Sequence, residues 1–148
     1  MVGARLQRRG VRREAADGPA PGSLSVLVDS SVIIDALRGN PSAIEVLVGF
    51  RSKDVVHSSV VVKAEVLAGM HSREEQATRS LLEVFEWHGI DEGVAEEAGR
   101  LGRLWLPSHG GIDTADLLIA ATATVLGLKL VTLNIRHFPM FSGLQRPY

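Results

Sequence analysis

Cysteine is missing from all 148 residues of this chain, which excludes a disulfide framework, a thiolate zinc site and a cysteine nucleophile. No apolar run approaches the roughly 18 residues that a membrane-spanning helix needs, so no transmembrane segment is expected. An excess of one charge sign is missing too. The formal net charge is −1, which argues against a generic polyanion binder held by bulk charge. Nor does the chain contain a Gly-x-Ser-x-Gly nucleophile elbow, a Gly-x-x-x-x-Gly-Lys phosphate loop, a His-Glu-x-x-His zinc pair or an internal repeat. What is present is ordinary for a globular protein: 45% hydrophobic and 22% charged residues, in a length that suits one domain with one core.

The average charge hides a split. Residues 1–22 carry five arginines (Arg5, Arg8, Arg9, Arg12, Arg13) against Glu14 and Asp17, a local charge of +3. The other 11 basic and 15 acidic residues leave the body at −4. The tail has Gly18, Pro19, Pro21 and Gly22 but neither an apolar stripe nor the apolar core of a secretory signal, so it reads as an unstructured basic leader. Residues 23–148 form the domain, and the cytoplasm is the expected compartment.

Apolar patterning in the body alternates between strands and helices. Leu24 to Val28 reads as a buried strand that stops at Asp29-Ser30-Ser31. A short helix over Val32–Arg38 closes at Gly39-Asn40-Pro41, and Pro41 opens a second helix over Ser42–Phe50. Asp54–His57 predicts a strand, and Ser59 to Gly69 a helix despite its valines. A polar helix is expected from Ser72 to Trp87, with a short strand near Glu86–Ile90. Asp91 N-caps a helix that runs to Leu106 before Pro107. Asp113-Thr114-Ala115-Asp116 is a capping signature ahead of a helix apolar nearly all round, Leu117–Leu126, which Gly127 ends. Leu128–Leu133 is the last strand, and Asn134–Pro139 turns the chain away. This alternation implies an α/β three-layer sandwich with a mostly parallel central sheet flanked by helices.

In such sheets, ligands bind beyond the carboxyl ends of the strands. Asp29 occupies that position on the first strand and Asn134 on the last. An Asp after five buried residues is costly unless it is hydrogen-bonded, solvated or bound to a cation; the plainer reading is that it caps the next helix. Glu65 interrupts an apolar helix, where a buried glutamate calls for a function; the plainer readings are an exposed face or a salt bridge to Lys63 or a more distant arginine. Asp116 opens the buried helix, where the plainer reading pairs it with Asp113 in a capping box. Together, three carboxylates suit Mg²⁺ or Mn²⁺, hard ions that need few protein ligands. The five histidines, His57, His71, His88, His109 and His137, offer a rival acid–base chemistry for RNA cleavage. They fall on a strand, loops and a turn with no metal-ligand spacing, and most are expected to be exposed or locally hydrogen-bonded.

These residues carry a resemblance. The segment Val28-Asp29-Ser30-Ser31-Val32-Ile33-Ile34-Asp35-Ala36-Leu37-Arg38-Gly39 resembles the opening of a PIN domain. Asp116 to Ala123, followed by Leu130 to Phe138, resembles its close, and Glu65 falls in order between them. The likeness covers about Leu24 to Phe138 and is strongest to VapC-type toxins of bacterial toxin–antitoxin pairs. It implies a Mg²⁺-dependent endoribonuclease, with Mn²⁺ as a substitute, that cleaves RNA and blocks translation. It further implies that Asp29, Glu65 and Asp116 are the catalytic, metal-binding acids and that Ser31 bonds a metal ligand or a phosphate. Where the family often has a fourth acid this chain has Asn134, so a second metal position is weakened unless Asp113 compensates. Asp35 is expected to be structural. The implied partners are RNA, a small VapB-like antitoxin and a second copy of the chain, with Lys63, Arg38, Arg136 and Arg146 as candidate backbone contacts and no membrane. The alternatives are a non-cleaving PIN-fold module that binds RNA or protein, and an unrelated Mg²⁺-dependent phosphatase, which the lack of Asp-x-Asp at Asp29 disfavours.

Overall fold

The computed structural model describes residues 25–148; the basic tail and Leu24, where the first strand was expected to begin, lie outside the described residues. The four strands are β1 (Val26–Val28), β2 (Val56–Ser59), β3 (Phe85–His88) and β4 (Lys129–Val131). The helices are α1 (Ser30–Leu37), α2 (Pro41–Lys53), α3 (Val60–Ala68), α4 (Glu75–Leu82), α5 (Glu92–Trp105) and α6 (Thr114–Leu126). Two helices follow each of the first three strands. The sheet order is β3-β2-β1-β4, and every neighbouring pair is parallel. The expected α/β sandwich is therefore observed, with a wholly parallel sheet among the described residues. None of the described helices is long and apolar enough to cross a membrane.

Burial explains the strand sequences. Val26, Leu27 and Val28 are 3%, 0% and 0% exposed, as a parallel strand covered on both faces requires. The helix ends follow from local chemistry. Pro41 occupies the first turn of α2, where Asn40 accepts hydrogen bonds from the Ser42 and Ala43 amides. The Asp91 carboxylate caps α5 at the Val94 amide. The buried stripe of α5 is Val94, Ala98, Leu101 and Gly102. A Cβ on Gly102 would lie 3.2 Å from Leu117 Cδ1, so this glycine lets α5 close onto α6. Gly127 ends α6 at φ +65°, a conformation that favours glycine.

Several boundaries differ from expectation: α1 starts at Ser30, α2 runs on to Lys53 and α6 starts at Thr114, and three other differences have clear causes. The helix expected over Ser72–Trp87 is a 3-10 turn (Ser72–Glu74) followed by α4, which stops at Leu82. Phe85 is then buried in β3 as the register partner of Val56, and the Trp87 indole N–H donates to the Leu82 carbonyl at 2.9 Å. The second strand starts two residues later than expected. Asp54 instead terminates α2, with its carboxylate accepting from the Ser25 hydroxyl at 2.6 Å and the Val55 amide at 2.7 Å. The last strand ends at Val131 because Thr132 turns to the site described next.

Candidate functional site

From β1 the chain builds outward to β2 and β3, then returns past β1 to place β4 on its other side. The switch point of the topology is thus the crevice beyond the carboxyl ends of β1 and β4, the position where parallel sheets hold ligands. The Asp29 amide donates to the Val131 carbonyl at 2.9 Å, which fixes Asp29 at the mouth of that crevice.

Asp29 stands at the N-cap position of α1, yet its side chain makes no capping hydrogen bond. It is 3% exposed. Its Oδ2 accepts from Thr132 Oγ1 at 2.7 Å and from Ser31 Oγ at 3.1 Å. Each of those hydroxyls in turn accepts from a backbone amide, Ser31 from Leu133 at 3.1 Å and Thr132 from Asn134 at 3.0 Å. A hydroxyl has one proton to give, and both protons here are directed at one carboxylate. This web joins β1 to the exit of β4 and engages the Asp29 carboxylate with Ser31 and Thr132 in place of the α1 amides.

Glu65 is half-buried on α3, with the Ser30 side chain beside it. Lys63, the salt-bridge partner considered for it, lies over the Trp87 ring at 5.4 Å instead. Burial pushes the Glu65 carboxyl above its ordinary pKa; the Ser30 bond opposes this, and the charges of Asp29, Asp116 and Asp113 add to it. Asp116 does form the capping box with Asp113, through Asp116 N to Asp113 Oδ1 at 2.8 Å and Asp113 N to Asp116 Oδ2 at 3.1 Å. The capping role does not use up the residue. Asp116 Oδ2 also meets His137 Nδ1 at 3.1 Å. Its pKa is raised, first by burial and then by the Asp113 and Asp29 charges, against the opposing Asp113 amide and His137.

The structure therefore brings Asp29, Glu65 and Asp116 into one electrostatic cluster, with Ser31 beneath it and the exposed Asp113 at its rim. Asn134 joins only through its backbone amide; its exposed side chain makes no capping bond. Asp35 is structural, as expected, and accepts from the Tyr148 hydroxyl at 2.9 Å. Thr132, Ser30 and the contact of His137 with Asp116 were missed. Their signal was position, since each flanks a strand end or helix start beside a candidate acid. An all-oxygen set in which burial and the neighbouring carboxylates raise the Glu65 and Asp116 pKa values fits a hard divalent cation, which would relieve that repulsion.

A second grouping was also missed. His57 on β2 and His88 on β3 are not scattered: Nδ1 of one lies 2.9 Å from Nε2 of the other. With Glu86 they form a trio whose ligand atoms all lie within 4.8 Å of one another. His71 instead caps the 3-10 turn, and His109 meets Ser108 and the Trp105 ring.

Comparison with known proteins decides the family. A sequence profile described as PIN domain matches residues 26–141. The chain belongs to the PIN domain family. Among curated relatives, ribonuclease VapC19 of Mycobacterium tuberculosis is 41% identical over 123 residues, spanning 82% of this chain and 98% of the relative. Ribonuclease VapC10 of the same species is 42% identical, spanning 83% and 92%. Among solved structures, a toxin–antitoxin complex from Klebsiella pneumoniae matches with a TM-score of 0.72 at 26% identity, covering 84% of this chain and 98% of that one. VapBC2 of Rickettsia felis bound to a promoter DNA fragment shares the fold, with a TM-score of 0.66 at 24% identity over 80% and 94% of the two chains. The opening and closing segments quoted for the resemblance both fall within the PIN match, as do Asp29, Glu65 and Asp116.

Proposed function

We propose that this PIN protein is a VapC-like toxin: a Mg²⁺-dependent endoribonuclease that cleaves RNA, inhibits translation and is neutralised by a small VapB-like antitoxin, with Mn²⁺ as a substitute ion. One observation carries the reading. Asp29 is buried at the switch point, makes no capping bond, and is held by two hydroxyls so that it faces Glu65 and Asp116. The VapC relatives, named ribonucleases, support the substrate class.

Asp29 and Asp116 are the principal ligands in this reading, with Glu65 as a ligand or an orienting base. Bound among them, the cation would supply a water made acidic enough to attack and a counter-charge for the phosphate. The protein's own parts are fixed for that task. Thr132 and Ser31 lock the Asp29 carboxylate, and the Asp113 amide and His137 hold Asp116. Glu65, with its raised pKa and Ser30 beside it, can take a proton from the attacking water at a carboxylate oxygen. The exposed Arg38, Arg136 and Arg146 are the candidates for gripping the RNA backbone.

The partners follow from the same reading. The groove of about 410 Å³ lined by Ala36, Ile44, Leu47, Val48, Leu81 and Val84 gives an antitoxin or a second copy apolar surface to bury. The compartment in this reading is the cytoplasm. The alternative, a PIN-fold module that binds without cutting, rests on Asn134 in place of a fourth acid. Incubating the purified chain with RNA and Mg²⁺ tests the choice. Cleavage that Asp116→Asn abolishes supports the nuclease; RNA or metal binding without turnover supports the module.

A further inference from the structure

The parallel register of β2 and β3 creates a second constellation with different chemistry. His57 and Glu86 are direct partners across the two strands. His88 lies two residues beyond Glu86, so alternation places all three on one face of the sheet. Their ligand atoms lie within 4.8 Å of one another, and the two rings meet at 2.9 Å between Nδ1 of His57 and Nε2 of His88. Glu86 is exposed, whereas both histidines are half-buried. The site is therefore open on its carboxylate side.

We propose that His57, His88 and Glu86 form a transition-metal site of the Zn²⁺ class on the β2–β3 edge, distinct from the carboxylate cluster. Two imidazoles and one carboxylate are a borderline donor set that selects Zn²⁺, Co²⁺ or Ni²⁺ over Mg²⁺, whereas the Asp29–Glu65–Asp116 cluster offers only oxygen. The two sites differ in donor chemistry and in place: His88 and Glu86 lie on β3, the sheet edge opposite β4, and His57 pairs in register with Leu27, two residues before Asp29.

The geometry is close to what the ion needs. Tetrahedral bonds of about 2.0 Å place ligand atoms about 3.3 Å apart. The facing nitrogens at 2.9 Å must therefore open by a few tenths of an ångström while the exposed Glu86 carboxylate, within 4.8 Å, adjusts to meet the ion. A metal requires neutral imidazole, and ring nitrogens 2.9 Å apart share a hydrogen bond only when one of them carries no proton. In the neutral pair one ring nitrogen donates its N–H to the other. Metal entry moves that proton to the donor ring's second nitrogen, with no net proton lost. Three protein ligands leave a fourth position for water, and the ion would fasten β3 to β2.

Co²⁺ titration of the full-length chain, stripped with chelator, tests the site through visible d–d absorption. The expected result is one Co²⁺ per chain with tetrahedral bands, displaced by one equivalent of Zn²⁺ and unmoved by excess Mg²⁺. His88→Gln should abolish the bands, and Glu86→Gln, at an exposed position, should weaken binding at least tenfold without disturbing the fold. Asp116→Asn should keep the bands, which separates this test from RNA cleavage. Absent bands, bands that survive His88→Gln, an affinity unchanged in Glu86→Gln, or loss in Asp116→Asn would each overturn the assignment.

Discussion

Replacing Asp29 by Asn removes charge while keeping shape, and the structure fixes what should follow. The amide oxygen can still accept from Thr132 and Ser31, whose hydroxyls lie at 2.7 and 3.1 Å from Oδ2. Each of those bonds weakens from the charge-assisted range of about 1.5–3 kcal/mol to about 1 kcal/mol, a combined loss of about 1–4 kcal/mol. Against this, the substitution removes a charge that repels Glu65 and Asp116. Two like charges about 6 Å apart repel by roughly 3 kcal/mol at an effective dielectric constant near 20. The two terms are of similar size, so the variant should melt within about 5 °C of the parent. Cleavage and growth inhibition should nonetheless fall to background, because the principal ligand of a hard cation has lost its charge. Mg²⁺ should raise the melting temperature of the parent but not that of the variant. Undiminished toxicity would refute the role of Asp29. A variant that is unfolded at room temperature would refute the balance of forces.

The other predictions use the same electrostatics and the outlying contacts. Glu65 titrates above its ordinary 4.5, so between the two values the folded protein holds a proton that the unfolded chain has released, and stability falls as pH rises through this window. Glu65→Gln should therefore gain on the parent in melting temperature from about pH 4 to about pH 7; a gap that narrows with pH would contradict the raised pKa. Asn134→Asp should lower the Mn²⁺ concentration for half-maximal cleavage, whereas no change would mean that Asn134 already serves as a ligand or lies off the site. Tyr148 is the only tyrosine, and burial with the Asp35 bond pushes its phenol up to about 12. Phenolate absorbance should stay low at pH 10 and rise there in Asp35→Asn; early titration in the parent would show that the contact is absent in solution.

Most of the fold was legible because its signals are local. Asp113, Asp116 and Gly127 mark the ends of α6 by capping chemistry, and the residues of β1 are apolar because both faces are covered. The sequence misled where two periodicities overlap. Leu81, Leu82 and Phe85 have helical spacing, yet Phe85 belongs to a strand because Val56 lies beside it in the sheet. The candidate acids were legible from their unusual settings, a carboxylate ending a buried strand and another inside an apolar helix. Thr132 was not, since threonine is common in strands and only the pairing of β1 with β4 brings its hydroxyl to Asp29. The His57–His88 contact was hidden for the same reason: 31 residues separate the pair, and the register of β2 against β3 joins them.

The contact between those histidines also sharpens the decisive measurement, because an acid–base pair is physically present as a rival to metal chemistry. A histidine base would deprotonate the ribose 2′-hydroxyl and leave a 2′,3′-cyclic phosphate. A metal-activated water would expel the 3′-oxygen and leave a 5′-phosphate with a free 3′-hydroxyl. Ligation-based capture of RNA fragments, with and without EDTA, distinguishes the two directly, since only 5′-phosphate ends join without prior treatment. The carboxylate cluster of Asp29, Glu65 and Asp116 predicts 5′-phosphate ends and complete loss of cleavage in EDTA. Cyclic-phosphate ends formed in EDTA would contradict it.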